Sequence, residues 1–146
     1  MKKNIQISIF IILAVLFVSC DRDGYFAKLE TKSVTPPSVC IVVHTTENNT
    51  VVKQTGVTVN VYKVNSDGVT HEATPKFTKT TDNNGYAKIN NAEMLQIFPE
   101  NANAKPTDSR GGKLYVEATS GGKSGSITSP NINMTDGETF IWVELK

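Results

Sequence analysis

Hydrophobic and polar residues alternate along much of the chain after residue 38, with the period of two that is typical of half-buried β-strands. The clearest case is residues 57–64, where Val57, Val59 and Val61 fall on one face and polar or aromatic residues fall on the other. Other β-like runs are residues 39–46, 86–89, 113–119, 123–129 and 139–145, weaker ones 69–74 and 76–80, and an extended piece 131–134. Short strands at this close spacing predict a sandwich or a barrel.

Turn residues separate these runs, and one stretch breaks the alternation. Asp67-Gly68 and the segment 82–85 (Asp-Asn-Asn-Gly) are typical of tight turns that need a positive φ. Within residues 90–112, Asn91 is placed to cap a short helix over 92–98, which Pro99 ends before a polar loop. We therefore predict an all-β fold, a single antiparallel Greek-key β-sandwich of about seven strands, with one possible short helix near 92–98.

The first nineteen residues have the three parts of a secretory signal. Lys2 and Lys3 form a basic start, residues 9–18 are an unbroken apolar run, and the small Ser19 precedes Cys20. This run of ten is too short to cross a membrane, which takes roughly 20 apolar residues. We expect a signal helix ahead of the sandwich.

The end of this segment, Leu-Phe-Val-Ser-Cys at residues 16–20, resembles the lipobox of bacterial lipoproteins. Phe17 stands where the usual box has Leu. The resemblance implies cleavage between Ser19 and Cys20 and a diacylglycerol on the Cys20 thiol; the alternative is an ordinary signal peptide with Cys20 near its cleavage site. The predicted organisation is a signal peptide (1–19), a lipidated Cys20 with a flexible tether (20–38) and a β-sandwich domain (39–146).

Two acidic residues, Asp21 and Asp23, follow the predicted anchor. In this respect the chain resembles lipoproteins of some Gram-negative groups that are exported to the outer face of the outer membrane. The resemblance implies an outer-membrane lipoprotein of the cell envelope that is exposed at the cell surface. A periplasm-facing location stays open.

The charge of the chain bears on its partners, and its cysteine content bears on disulfide formation. The chain has 15 basic and 14 acidic residues; without Lys2 and Lys3 the mature form has 13 and 14, a net charge near −1. With no run of basic residues, nucleic acid is not expected as a partner. With Cys20 lipidated, Cys40 is the single remaining thiol, so no internal disulfide forms, and its apolar neighbours predict that it is buried.

Residues 56–62 (Gly-Val-Thr-Val-Asn-Val-Tyr) and 80–87 (Thr-Thr-Asp-Asn-Asn-Gly-Tyr-Ala) resemble the prealbumin-like sandwiches of bacterial surface proteins. These include carboxypeptidase regulatory-like domains and collagen-adhesin B-type repeats, and the resemblance implies an Ig-like scaffold with little information on function. Residues 39–46 contain no Lys and 139–146 no Asn or Asp, so the internal isopeptide bond of collagen adhesins is not expected. The Tyr-Arg-Gly-Ser ending of transthyretin-like hydrolases is also missing.

Candidate catalytic and metal-binding chemistry is sparse. His44 and His71 have no partners at ligand spacing. The segment 122–124 (Gly-Lys-Ser) has Glu117 where a phosphate-binding loop needs its first Gly. No set of acid, base and nucleophile can be assembled, so we predict that the protein is not an enzyme and has no cofactor, metal site or catalytic residue.

Four aromatic residues form the candidate binding face. Phe140 and Trp142 alternate with the aliphatic residues of the last run, and Tyr62 and Tyr115 lie opposite the aliphatic rows of theirs. If these strands were neighbours, the four rings would share one outward face, and exposed aromatic surface is typical of a protein or sugar site. Alternatively, residues 92–98 or the tether cover that face.

These observations predict a membrane-anchored, non-catalytic binding or structural module. Its expected partner is an envelope protein or an extracellular glycan. The alternative is an adhesin or a fimbria-like assembly subunit that pairs with a neighbour through an exposed strand edge.

Overall fold

The computed structural model describes residues 37–102, 111–133 and 137–146. The predicted signal peptide, Cys20 and almost all of the predicted tether lie outside these residues. The described part contains ten strands, one α-helix and one 3-10 turn. Their bounds are β1 Ser38–Glu47, β2 Thr50–Lys53, β3 Thr58–Lys63, β4 Phe77–Thr80, β5 Tyr86–Ile89, α1 Asn91–Ile97, the 3-10 turn Pro99–Asn101, β6 Gly111–Gly112, β7 Leu114–Ser120, β8 Lys123–Thr128, β9 Ile132–Asn133 and β10 Glu138–Glu144.

The strands form two four-stranded sheets and a small two-stranded one. In the first sheet the order is β10-β1-β2, and β5 also pairs with β1, beside β2. The second sheet has the order β4-β3-β7-β8, and β6 pairs with β9. Every pair is antiparallel except β1 with β10, which run parallel from Ser38 opposite Glu138 to His44 opposite Glu144.

Alternation places one row of β1, β3, β5, β7 and β10 in a single core between the two large sheets. Ile41 and Val43 of β1 lie in the same buried cluster as Val59 and Val61 of β3. The other members are residues of β5, β7, β10 and the helix region, including Ala87, Ile89, Leu114, Val116, Ala118, Ile141 and Val143. Branched residues suit a pleated, half-buried surface, and their burial is the main favourable term in folding. The prediction of an all-β sandwich with one short helix is confirmed.

The helix closes one end of the core. Its cap is Asn90, not Asn91 as predicted: Asn90 Oδ1 accepts from the backbone N–H of Glu93 at 3.0 Å, and Glu93 accepts from the backbone N–H of Asn90 at 2.9 Å. This reciprocal pair satisfies two helix-end donors at once. Met94 and Ile97 then face the core, so the helix lies against the sandwich interior.

An ion pair ties the helix to the second sheet. Glu93 accepts a hydrogen bond from Lys79 of β4, and both side chains are largely shielded from solvent. Desolvation acts to raise the pKa of Glu93, but the bonds from Lys79 and from the Asn90 backbone outweigh it and hold the pKa below its usual value. The carboxylate is therefore stabilised in its charged form.

Several details differ from the predicted strands. There are ten strands in the described residues rather than about seven, because the weak run 76–80 and the extended piece 131–134 contain the strands β4 and β9, and β2 and β6 were not predicted. Residues 69–74 are not a strand: Val69 is 81% exposed, Asp67 Oδ1 accepts from the backbone N–H groups of Val69 and Thr70, and only His71 makes an isolated bridge, to Val64. The parallel β1–β10 pair departs from the wholly antiparallel prediction. A parallel pair needs a long connection, and here nearly the whole domain lies between the two strands.

Edge strands of the two large sheets, β8 and β10, meet near residue 146. The backbone N–H of Lys146 donates to the carbonyl oxygen of Ser124 at 3.0 Å, and the backbone N–H of Ser124 donates to the carbonyl oxygen of Lys146 at 3.2 Å. These two bonds join β8 to the chain just after β10. Next to this junction, a Cβ on Gly125 would lie 2.0 Å from the carbonyl oxygen of Glu144. Glycine therefore allows the two sheets to approach at this corner.

Candidate functional site

The four predicted aromatic residues form two pairs on different sheets, not one shared face. Tyr62 of β3 and Tyr115 of β7 are direct register partners in the second sheet. Phe140 and Trp142 lie on β10, which pairs with β1 in the first sheet. The predicted single face required β10 to be a neighbour of β3 or β7. Pairing preferences between strands cannot be read from alternation alone, and here they separate the rings.

The tyrosine pair is engaged within the protein. His71 stacks on Tyr115 with ring centroids 4.1 Å apart and planes 5° apart, and Tyr62 lies 4.9 Å from His71 and 5.9 Å from Tyr115. The Tyr62 hydroxyl donates to Glu117 at 2.9 Å, which raises the pKa of Tyr62. Only 8% of Tyr62 is exposed. Tyr62 is buried in this cluster and Tyr115 and His71 are half-buried, so the cluster offers less free aromatic surface than an exposed pair would.

The β10 pair is different, because it is open to solvent. Phe140 is 54% exposed and Trp142 is 48% exposed, whereas Ile141 between them is in the core. We call Phe140 and Trp142 the aromatic strip. The helix does not cover it, since the apolar side chains of α1 belong to the core. The structure therefore does not show the predicted covering of the rings by residues 92–98. The other predicted cover, the tether (20–38), lies almost entirely outside the described residues.

The strip is flanked by residues in register on β1 and β5. Cys40 lies opposite Phe140 and Val42 opposite Trp142, and on the far side Lys88 and Tyr86 continue these two rows. Val42 is fully buried although it is on the outer face of the sheet. Beside the strip, the outer face of β1 is therefore filled by packed, buried side chains.

Charged and polar residues hold the ends of the strip. At one end the carboxylate of Glu138 accepts from Lys88 across β1 at 2.6 Å, and this bond raises the pKa of Lys88. At the other end Glu144 accepts from the Thr46 hydroxyl at 2.7 Å, which lowers the pKa of Glu144. These bonds give both acidic groups fixed positions beside the rings.

A histidine contacts Trp142 from β1. The His44 ring meets the Trp142 ring edge-on, with centroids 5.6 Å apart and planes at 73°. Such T-shaped contacts are favoured by the charge distribution of aromatic rings. His44 Nδ1 is buried and has no hydrogen-bond partner within the described part of the chain. The contact limits the orientations that Trp142 can adopt.

Cys40 lies under the Lys88–Glu138 pair. It is 7% exposed, and desolvation followed by the charge of Glu138 raises the pKa of its thiol. The prediction of a buried free cysteine is confirmed. A thiol with a raised pKa holds few thiolates at neutral pH, so it is a poor nucleophile.

A groove of about 350 Å³ runs beside Trp142, between β8 and β10. We call it the β8–β10 groove. It opens next to the close contact of Gly125 with Glu144, and Trp142 and Ile127 supply its large apolar side chains. Its polar lining consists of His44, Ser124, Ser126, Glu144 and Lys146. The strip and the groove thus form one continuous surface that combines an aromatic ring with hydroxyl and charged groups.

A larger cleft of about 720 Å³ lies at another part of the domain. It is lined by Phe98 and by the Lys63–Glu100 ion pair, whose atoms are 2.7 Å apart. Gly112 is required here because a Cβ would lie 2.1 Å from the Phe98 ring. The aromatic residue of this cleft, Phe98, is only 4% exposed, so the cleft offers less aromatic surface for recognition than the aromatic strip.

The remaining predictions of chemistry can be placed on the fold. His44 and His71 lie on different sheets' outer faces, each against aromatic rings. Across residues 37–102, 111–133 and 137–146, no three His, Cys, Asp or Glu side chains are grouped as a metal would require. Within the same residues no helix has the length and apolar character needed to span a membrane.

No model of a known protein family matches the chain, and none of the curated proteins searched matches it.

Proposed function

We propose that this protein is a lipid-anchored module of the cell envelope, held at the outer membrane and exposed at the cell surface, that binds a partner without catalysing a reaction. The observation that supports binding most directly is the aromatic strip, with Phe140 54% and Trp142 48% exposed. Burying such rings in a folded protein is favourable, so leaving two adjacent ones in solvent is typical of an interaction site. The partner is an envelope protein or an extracellular glycan, and the membrane is contacted through the anchor.

The anchor is supported by the sequence of residues 16–20, which resembles a lipobox. Two or more acyl chains hold a protein stably on a bilayer, whereas one gives only reversible binding. The fold is compatible with this role. A β-sandwich is a rigid scaffold, and the residues on its surface determine what it binds. The prealbumin-like resemblance remains part of the proposal.

The anchor is tested in cells that produce the full chain, with and without Cys20→Ser. Radioactive fatty acid should label the parent protein and leave the variant unlabelled, and the variant should leave the membrane fraction or accumulate as an uncleaved precursor. Cys40→Ser is the matched control, since it removes the other cysteine and should change neither result. Equal labelling of the parent and Cys20→Ser would rule out the anchor.

A second candidate function, a fimbria-like assembly subunit or adhesin, is favoured by one observation. Strand β10 is at the edge of the first sheet, and among the described residues the backbone of 138–143 forms its ladder only with β1. An open edge can add a strand from another chain. Sedimentation of the mature chain in detergent at increasing concentration decides the matter: self-association favours assembly, and a monomer at all concentrations favours simple binding.

A further inference from the structure

We propose that the aromatic strip together with the β8–β10 groove binds a neutral oligosaccharide. This inference rests on the binding role proposed above and specifies its partner and its site. The site comprises the two exposed rings, Phe140 and Trp142, and the polar lining of the groove beside Trp142. No other part of the described surface places two exposed aromatic rings on adjacent outward positions of one strand.

The size of the exposed apolar surface fits a sugar better than a protein. An aromatic side chain presents about 150–250 Å² in total, so the exposed halves of Phe140 and Trp142 amount to roughly 200 Å². A stable protein–protein interface needs about 800 Å² on each partner. Ile127 in the β8–β10 groove is 38% exposed and adds one more apolar side chain, and the total stays far below that area. One or two sugar rings cover a surface of this size.

The spacing of the rings suits a chain of sugars. Residues two apart on a strand are separated by roughly 7 Å, and Phe140 and Trp142 point to the same side. A pyranose ring has an apolar face of C–H groups and a rim of hydroxyls. Its apolar face can stack on an aromatic ring while its hydroxyls contact polar groups at the edge. Two rings in a row can therefore hold two neighbouring sugar units.

The polar groups around the strip are positioned to bond hydroxyls. Glu144 is fixed by Thr46, and Glu138 is fixed by Lys88, and each carboxylate keeps further lone pairs free to accept hydrogen bonds. Ser124 and Ser126 of the groove can donate as well as accept. Groups held in place before binding lose less entropy when the ligand arrives.

The charge of the site indicates that the sugar is neutral. Glu138 and Glu144 flank the strip, Lys88 and Lys53 lie on the far side of β1, and Lys146 lines the groove. Each lysine is engaged within the protein: Lys88 pairs with Glu138 at 2.6 Å, Lys146 pairs with Glu144 at 3.5 Å, and Lys53 lies over the ring of Tyr86 at 4.3 Å from its centroid. An anionic glycan or an anionic membrane surface would need several basic groups that are not already paired with acidic ones. Two of the three lysines of this site are paired in that way, so a neutral sugar fits it better.

The protein carries its own reporter for this proposal, because Trp142 is the single tryptophan of the chain. The mature full chain in detergent is titrated with neutral hexasaccharides of β-1,4-glucan, β-1,3-glucan, xylan, mannan and chitin, and the Trp emission and its quenching by acrylamide are recorded. At least one sugar should shift the emission to shorter wavelength and protect Trp142 from quenching. Disaccharides should bind more tightly than monosaccharides, because two sugar units are needed to cover both rings.

Variants then locate the site. Phe140→Ala keeps the reporter and should weaken binding about tenfold, or about 1.4 kcal/mol, because one of the two stacking surfaces is lost. Trp142→Ala lacks the reporter, so its binding is measured by calorimetry, and this substitution should abolish measurable binding. Val69→Ala is the matched control: Val69 is 81% exposed, lies away from β10, and should bind like the parent. Circular dichroism of each variant shows whether its fold is retained.

Several results would overturn the glycan proposal. These are no response to any neutral hexasaccharide, tighter binding of an acidic oligosaccharide than of the neutral ones, or unchanged binding by Phe140→Ala. A blue shift of Trp142 on reconstitution into phosphatidylethanolamine–phosphatidylglycerol vesicles without sugar would mean that the strip contacts the membrane instead. If no neutral sugar binds while Cys20 is still acylated, the proposed envelope module stands and only its partner is different. If sugar binds but Cys20 is not acylated, the glycan site stands and the anchor does not.

Discussion

Replacing Gly125 with alanine tests how the two sheets close at the β8–β10 corner. The new Cβ would lie 2.0 Å from the carbonyl oxygen and 2.8 Å from the carbonyl carbon of Glu144. Both are backbone atoms, so no side chain can rotate away and one strand must move. The movement would also disturb the two backbone hydrogen bonds between Ser124 and Lys146 next to the site.

The expected loss of stability follows from these contacts. Overpacking of this kind costs about 1–3 kcal/mol, and two strained backbone hydrogen bonds add about 1 kcal/mol each. Alanine in place of glycine in a strand returns about 0.5–1 kcal/mol through the unfolded state. The net cost for Gly125→Ala is therefore roughly 2–4 kcal/mol. For a domain of this size that lowers Tm by roughly 8–16 °C.

The assay is urea and thermal unfolding of the full chain in detergent, followed by far-ultraviolet circular dichroism. Gly137→Ala is the matched control, because a Cβ at Gly137 meets nothing within 4 Å and neither glycine has a positive φ. The control should unfold within about 0.5 kcal/mol of the parent. If Gly125→Ala is as stable as Gly137→Ala, β8 and β10 are not in close contact at this corner.

Three further predictions concern the helix cap, the acid response and the buried thiol. Asn90→Ala should cost about 1 kcal/mol in urea unfolding by removing the capping box, whereas Gln96→Ala on the exposed side of the same helix should change little. Because the folded pKa of Glu93 is lowered, its stabilisation is present above the unfolded pKa of about 4.3 and is lost as pH falls through the folded pKa; the stability gap between the parent and Glu93→Gln should be widest at pH 7 and narrow at pH 3, and a gap that widens in acid contradicts this. In a Cys20→Ser chain, Cys40 should react with a thiol reagent far more slowly in the native state than in guanidinium, and equal rates would mean that it is exposed.

The architecture of the domain was predictable because alternation is a local signal. Val57, Val59 and Val61 sit in the core as their spacing predicted, and the turn at residues 82–85 does precede a strand. The extra strand β2 was missed because its four residues are all exposed and show no buried face. The available sequence signal was the Asn48-Asn49 pair before it, because Asn adopts a positive φ more readily than most residues. In the structure the two residues have φ of 50° and 60°, which is typical of a two-residue hairpin.

The candidate site was predictable only in part. Alternation correctly placed Phe140 and Trp142 on the outward face of their strand, but it carries no information on which strands are neighbours. The pairing of β10 with β1 joins the two ends of the domain and depends on the packing of the whole sandwich. The role of His71 was also hidden, because its stacking on Tyr115 arises from an irregular loop rather than from a strand. The β8–β10 groove depends on Gly125, whose importance is visible only once the two strands are in contact.

The most direct test of the account is the solvent exposure of Trp142 in the free protein. Its emission comes from one residue, so no other tryptophan complicates the measurement. With 48% of the side chain exposed, the native emission should lie at longer wavelength than that of a buried tryptophan, and acrylamide should quench it, though less strongly than in the unfolded chain. A blue-shifted emission that resists acrylamide would mean that the ring is covered, and it would contradict both the exposed strip and the binding role built on it.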